Sequence, residues 1–117
     1  MDQTSRHIVE GNQLIIEDVA MSFDFPIAKV IEMEGMLIVR LDKPINVVYN
    51  ENVFGVSIAE KKIKWQIEKR SYDPHMKSCP FTEIRIFENQ LVLYNWCDTY
   101  FVVEPQTGKI LKEGWSK

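Results

Sequence analysis

Residues 52–68 read NVFGVSIAEKKIKWQIE. Two runs in which apolar residues alternate with small or polar ones flank the tetrapeptide AEKK. A period of two marks a half-buried strand, and a polar break between two such runs marks a hairpin. On strand geometry Ile63, Trp65 and Ile67 share one face, while Lys62, Lys64, Gln66 and Glu68 share the other. The segment is rich in bases beside an aromatic ring, which on composition suits nucleic acid. Laid out as a strand it places Trp65 in a core and the lysines in water, where they also protect a sheet edge.

The rest of the chain follows the same rule. No stretch of twelve residues carries a period near 3.6, and β-branched and aromatic residues occur throughout. Alternation predicts ten strands, near 6–10, 13–18, 27–34, 36–42, 52–58, 62–69, 82–88, 91–96, 99–104 and 109–113. The expected class is all-β.

The opening hairpin has a second copy. With Phe54 set on Phe101, FGVSIAEKKI lies over FVVEPQTGKI, and Val56/Val103, Lys62/Lys109 and Ile63/Ile110 also match. The second copy turns at PQTGK, where Gly108 can take a positive φ. The first has Lys61 at the glycine position, which predicts a longer or differently shaped turn. Upstream, MEGMLIVR (33–40) lies over FENQLVLY (87–94), and GNQLIIE (11–17) resembles ENQLVLY (88–94). One domain, 1–117, is therefore expected to hold internal repeats at about 28–69 and 82–113, with a half-repeat at 6–18.

At NVFGVSIAEKKIKW and YFVVEPQTGKIL the sequence resembles the blade repeat of PQQ-like (quinoprotein-type) β-propellers. There a "vyalD" strand precedes a "tGk" turn and a strand ending in tryptophan; Trp65 stands in that last position. The acidic position is held by Ser57 and Glu104, and the second tryptophan position by Lys112. The resemblance implies four-stranded meanders, and two blades cannot close a ring. The expected architecture is two blade-like meanders packed as a sandwich or as a partly rolled sheet. No vicinal cysteine pair or calcium-ligand set is present, so no quinone or other cofactor is carried over. In texture, size and charge the chain also resembles small bacterial toxin-immunity proteins, which implies a protein partner.

Composition narrows the function. The 117 residues are 45% hydrophobic, enough for a core, and carry a net charge of −3. That balance argues against general affinity for nucleic acid or anionic membrane. It is uneven: residues 1–60 hold ten acids and four bases, residues 61–117 seven acids and ten bases. No apolar run reaches signal-peptide or membrane-span length. The expected compartment is the cytoplasm, with Cys79 and Cys97 as reduced thiols.

Candidate chemistry is sparse. His7, His75, Cys79 and Cys97 are the soft metal ligands available, without C-x-x-C or H-x-x-x-H spacing, so no metal is expected. Asp73, His75 and Cys79 bring the residue types of a thiol enzyme into one Pro-bounded loop, YDPHMKSCPF, but without a surrounding signature. The glycines form no phosphate-binding pattern. No catalytic residue is assigned.

What remains favours recognition of a protein. DKPINVVYNEN (42–52) interrupts the first repeat where the second has a short turn, a natural place for a binding loop. YNWCDTYF (94–101) is the densest aromatic run, and Tyr94 and Trp96 share a face. FDFPI (23–27) is extended ahead of Pro26. The expected partner-binding residues are Asp42, Glu51, Tyr94, Trp96 and Asp98, near one edge. The function they suggest is a non-enzymatic binding module, with toxin immunity as its specific version, a self-associating structural repeat as the alternative, and a thiol- or metal-dependent enzyme using Asp73, His75 and Cys79 as the remote one.

Overall fold

The structure is a computed structural model that describes residues 7–70 and 78–115. Among these residues it is all-β, with eleven antiparallel strands in three meanders and none closed into a barrel. The first sheet is three-stranded: β1 (His7–Glu10), β2 (Gln13–Ile16) and β3 (Val19–Ser22). The second has β4 (Ile27–Met33), β5 (Met36–Leu41), β6 (Val53–Ser57) and β7 (Lys62–Gln66). The third has β8 (Phe81–Phe87), β9 (Gln90–Asn95), β10 (Thr99–Val103) and β11 (Ile110–Trp115).

The strand that alternation misses is β3. Only Val19 and Met21 turn inward, and acidic Glu17 and Asp18 precede them, so four residues leave too short a pattern. Pairing with β2, Ile16 to Val19 through Gln13 to Ser22, turns the half-repeat into a full sheet.

The three sheets form a layered, sandwich-like stack with the second in the middle. Leu37, Val39, Leu41 and Val56 of the middle sheet bury against Leu14, Ile16, Met21 and Phe23. The opposite side, Met36, Ile38, Val53, Trp65 and Ile67, buries against Ile84, Leu91, Leu93, Phe101 and Val103. Central strand β5 thus loses water on both faces, which is why MLIVRL is apolar almost throughout.

The two four-stranded meanders repeat each other in detail. Both first hairpins turn through two residues of positive φ, Glu34-Gly35 and Glu88-Asn89, the geometry that matches strand twist. Each has its irregularity at the same place, between Ile27 and Lys29 and between Phe81 and Glu83. The last hairpins also share one, between Gly55 and Val56 and between Val102 and Val103.

Two expectations are corrected here. Lys61 adopts the same left-handed conformation as Gly108 (φ 56° and 78°), and the two turns have the same length. Lys61 N donates to Ser57 O and Gly108 N to Glu104 O, each at 2.8 Å. Ser57 Oγ accepts from Glu60 N, as Glu104 Oε1 accepts from Thr107 N, so serine and glutamate fasten equivalent turns. The second correction concerns Ile63. The bulge pairs Trp65 with Gly55 but Ile63 with Val56, leaving Lys64 as the extra residue. Ile63 therefore lies on the opposite face from Trp65 and is partly exposed, while Trp65 and Ile67 stay buried.

Trp65 joins the second and third sheets. Its indole occupies the space a side chain at Gly55 would need and reaches under Gly108. Its Nε1–H donates to Pro105 O at 2.8 Å. The rim adds Lys29 with Glu83 at 2.7 Å, and Arg70 with Glu113.

Candidate functional site

The 42–52 insertion is held at both ends. Asp42 N donates to Pro26 O and Leu41 N to Asn52 O. Asn52 is buried, and its amide donates to Leu41 O and Phe81 O while Oδ1 accepts from Phe81 N. One asparagine therefore stitches β5 to the start of β8, using groups that would otherwise be buried unpaired. Two residues earlier, Asn50 Oδ1 accepts from Cys79 N at 2.8 Å.

Cys79 and Cys97 form a disulfide, with Cα atoms 5.4 Å apart. This corrects the expectation of two reduced thiols. Residues 79 and 97 are brought together because Pro80 lies beside the turn after β9, where Trp96 N donates to Pro80 O. The sulfur of Cys79 is therefore committed, and no nucleophilic or metal-ligating thiol remains in the trio Asp73, His75 and Cys79. Asp73 and His75 lie outside the described residues. Among the described residues no group of three or more His, Cys, Asp or Glu could hold a metal. His7 is on β1, far along the chain from either cysteine, and its Nδ1 is shielded from water without a hydrogen-bond partner among the described residues.

The turn that carries Trp96 is rigid for a reason visible in its residues. Asn95 is buried, and its Oδ1 accepts from the backbone N–H of both Cys97 and Thr99. Asp98 takes φ 61°, a conformation that Asp tolerates better than most side chains. Pinned on both sides, Trp96 is nevertheless 71% exposed, and Ile45 of the insertion is 92% exposed. The two line a cleft of about 330 Å³ with Lys43, Ser78 and Pro80. Lys43, Ile45 and Pro80 also border a second cleft of about 250 Å³, with Arg40, Asp42 and Thr82 on its other wall.

The five residues expected from the sequence are distributed as follows. Asp42 and Trp96 line these adjoining clefts, and Asp98 lies in the Trp96 turn. Glu51 is next to the Tyr49 side: Gln66 donates to both Glu51 O and the Tyr49 hydroxyl. The Tyr49 phenol is pushed above its ordinary value, first by burial and then by the carboxylates of Asp24 and Glu51. Tyr94 is paired with Tyr100 on the outer face of the third sheet, with the Arg85 guanidinium 5.0 Å from its ring centre. The chain bends at Asp24 and Phe25 rather than running extended ahead of Pro26, and the Phe25 ring packs against Tyr49, with ring centres 5.0 Å apart. Sequence reasoning missed Arg40, Lys43, Ile45 and Pro80. The signal available for them was the insertion itself and the proline next to Cys79.

Fold and site together define a small all-β module of stacked meanders that presents a fastened, partly apolar edge. The chain belongs to DUF7957, a domain of unknown function, whose family model matches residues 4–115. No curated protein and no solved structure matches it. No helix among the described residues is long and apolar enough to cross a membrane.

Proposed function

We propose that this is a non-enzymatic protein-binding module that docks its partner on the edge formed by Ile45, Pro80 and Trp96. The observation that carries the reading is a large aromatic and a large aliphatic side chain, both in water, on two loops that are tied together. Exposed Trp beside apolar neighbours on a rigid frame is the usual anatomy of an interface anchor, because little ordering entropy is lost on binding. The more specific version is neutralisation of a bacterial toxin by an immunity protein, supported by size and acidic charge.

The experiment places a photo-crosslinking amino acid at Ile45 or Trp96, with Gln13 on the first sheet as control, in the native host. The expected result is one protein cross-linked from both site positions and not from the control. Adducts identical at all three positions, or none, overturn the reading. A cytoplasmic home would keep the cysteine pair reduced, whereas the disulfide fits an oxidising compartment. The cross-linking is therefore run with and without reductant.

A second reading, self-association, is favoured by one specific feature. The outer face of the third sheet carries Phe87, Val92, Tyr94, Tyr100 and Val102 around a cleft. In the repeat these stand where Met33, Ile38, Arg40, Val53 and Gly55 stand in the second sheet, on the side covered by the third. Sedimentation at micromolar concentration tests it: a dimer lost in Tyr100→Glu supports it, and a clean monomer rejects it.

A further inference from the structure

Among the described residues, the cleft next to Trp96 contains more positive charge than its lining balances. Arg40 projects from β5 on the side facing the third sheet, opposite Lys29 in the register of β4 and β5. Lys29 is matched by Glu83 at 2.7 Å, but Arg40 and Lys43 enter no ion pair among the described residues. The Arg40 Nε is shielded from solvent and has no hydrogen-bond acceptor among the described residues. Among the described residues Lys43 Nζ reaches only the neighbouring Pro44 O, at 3.2 Å. Asp42 is the single carboxylate among the described residues of the cleft wall, so there two cations face one anion, in a chain whose net charge is −3.

A guanidinium whose Nε is buried without an acceptor is costly, and the acceptor that fits its planar fork best is a carboxylate. Ile45 and Pro80 are shared between this cleft and the apolar one lined by Trp96. A ligand that fills both must therefore offer an apolar side chain and, next to it, a negative group. Capture of a chain's terminal carboxylate commonly uses a nest of backbone N–H groups, whereas the free donors here are side chains.

We propose that the site takes an acidic peptide segment of the partner, with an Asp or Glu side chain on Arg40 and Lys43 and a neighbouring apolar residue against Ile45 and Trp96. This rests on the partner-binding reading above and names the chemistry of the partner.

The test is a ¹H–¹⁵N NMR titration of the whole chain with three probes. They are acetyl-Leu-Glu-Leu-amide, acetyl-Leu-Gln-Leu-amide, and acetyl-Leu-Gln-Leu with a free carboxyl terminus. The Glu peptide should shift the amides of Lys43, Ile45 and Thr82 and the Trp96 indole N–H. Its Kd should be about fivefold below that of the Gln amide, the scale of one solvent-accessible ion pair. The gap should close in Lys43→Gln and in Arg40→Gln; Lys43 lies in the loop, so its variant carries the test if the Arg40 variant unfolds. Equal affinity of the Glu and Gln amides overturns the proposal, as does tighter binding of the free-terminus peptide, or no shift with any probe. Cross-linking at Ile45 and Trp96 does not depend on charge. It would still succeed if the acidic assignment alone were wrong.

Discussion

At Gly55 the missing side chain lets the Trp65 indole lie against β6 and still reach Pro105 across the sheet boundary. A Cβ there would stand inside the ring, and the ring cannot retreat without losing its Nε1–H bond. Gly55→Ala is expected to destabilise the fold by about 3 kcal/mol, at the upper end for overpacking, measured by urea unfolding. Lys61 carries the opposite expectation. It bears a side chain where its repeat partner is glycine, at a left-handed φ. Lys61→Gly should raise stability by about 0.5–1 kcal/mol, since the ion pair with Glu17 at 3.4 Å is at the surface and contributes little. Glu83 adds a dependence on pH. The hydrogen bond from Lys29 holds its carboxyl below the ordinary value against the opposing effect of burial. A depressed carboxyl stabilises the fold fully above its unfolded value and ceases to do so as pH falls through the folded value. Lys29→Met should therefore cost about 0.5 kcal/mol at pH 7, and the gap to the parent should shrink below about pH 4.

Among the elements, the disulfide and the Asn52 stitch fasten the same edge by different means. Removing the bridge with Cys79→Ser and Cys97→Ser should cost about 3 kcal/mol, the scale for a loop of this length. It should also weaken cross-linking from Trp96 more than from Ile45, because Trp96 adjoins Cys97. Element type was largely legible in the sequence: alternation marks ten of the eleven strands, and the copies at 33–40 and 87–94 carry matching turns. The bulges were not legible. A single extra residue such as Lys64 leaves the local alternation intact and shows itself only in the partner strand's register, so Ile63 was assigned to the wrong face. The cysteine pair was equally silent, since two thiols separated by 18 positions meet only after β8 and β9 have paired. Trp96 could be picked out as an aromatic in a turn. Arg40 could not, because its lack of an acceptor depends on what β4 and β8 place around it.

On the scale of the whole molecule, the middle sheet is covered on both sides while the first and third each leave one face in water. The molecule measures 47 × 32 × 19 Å, elongated rather than rounded. The two proposed partner surfaces are thus separable: the 42–52 edge, and the aromatic face of the third sheet. A substitution at Tyr100 should leave cross-linking from Trp96 unchanged, and one at Ile45 should leave sedimentation unchanged. The bridge between Cys79 and Cys97 has one more consequence. It closes β8, its turn and β9 into a covalent ring, with the tip of that hairpin, Glu88-Asn89, the point farthest from the bond. A protease cut at the tip would not separate the halves. The nicked chain would run as one species of 13.7 kDa and come apart into two only when a thiol is added.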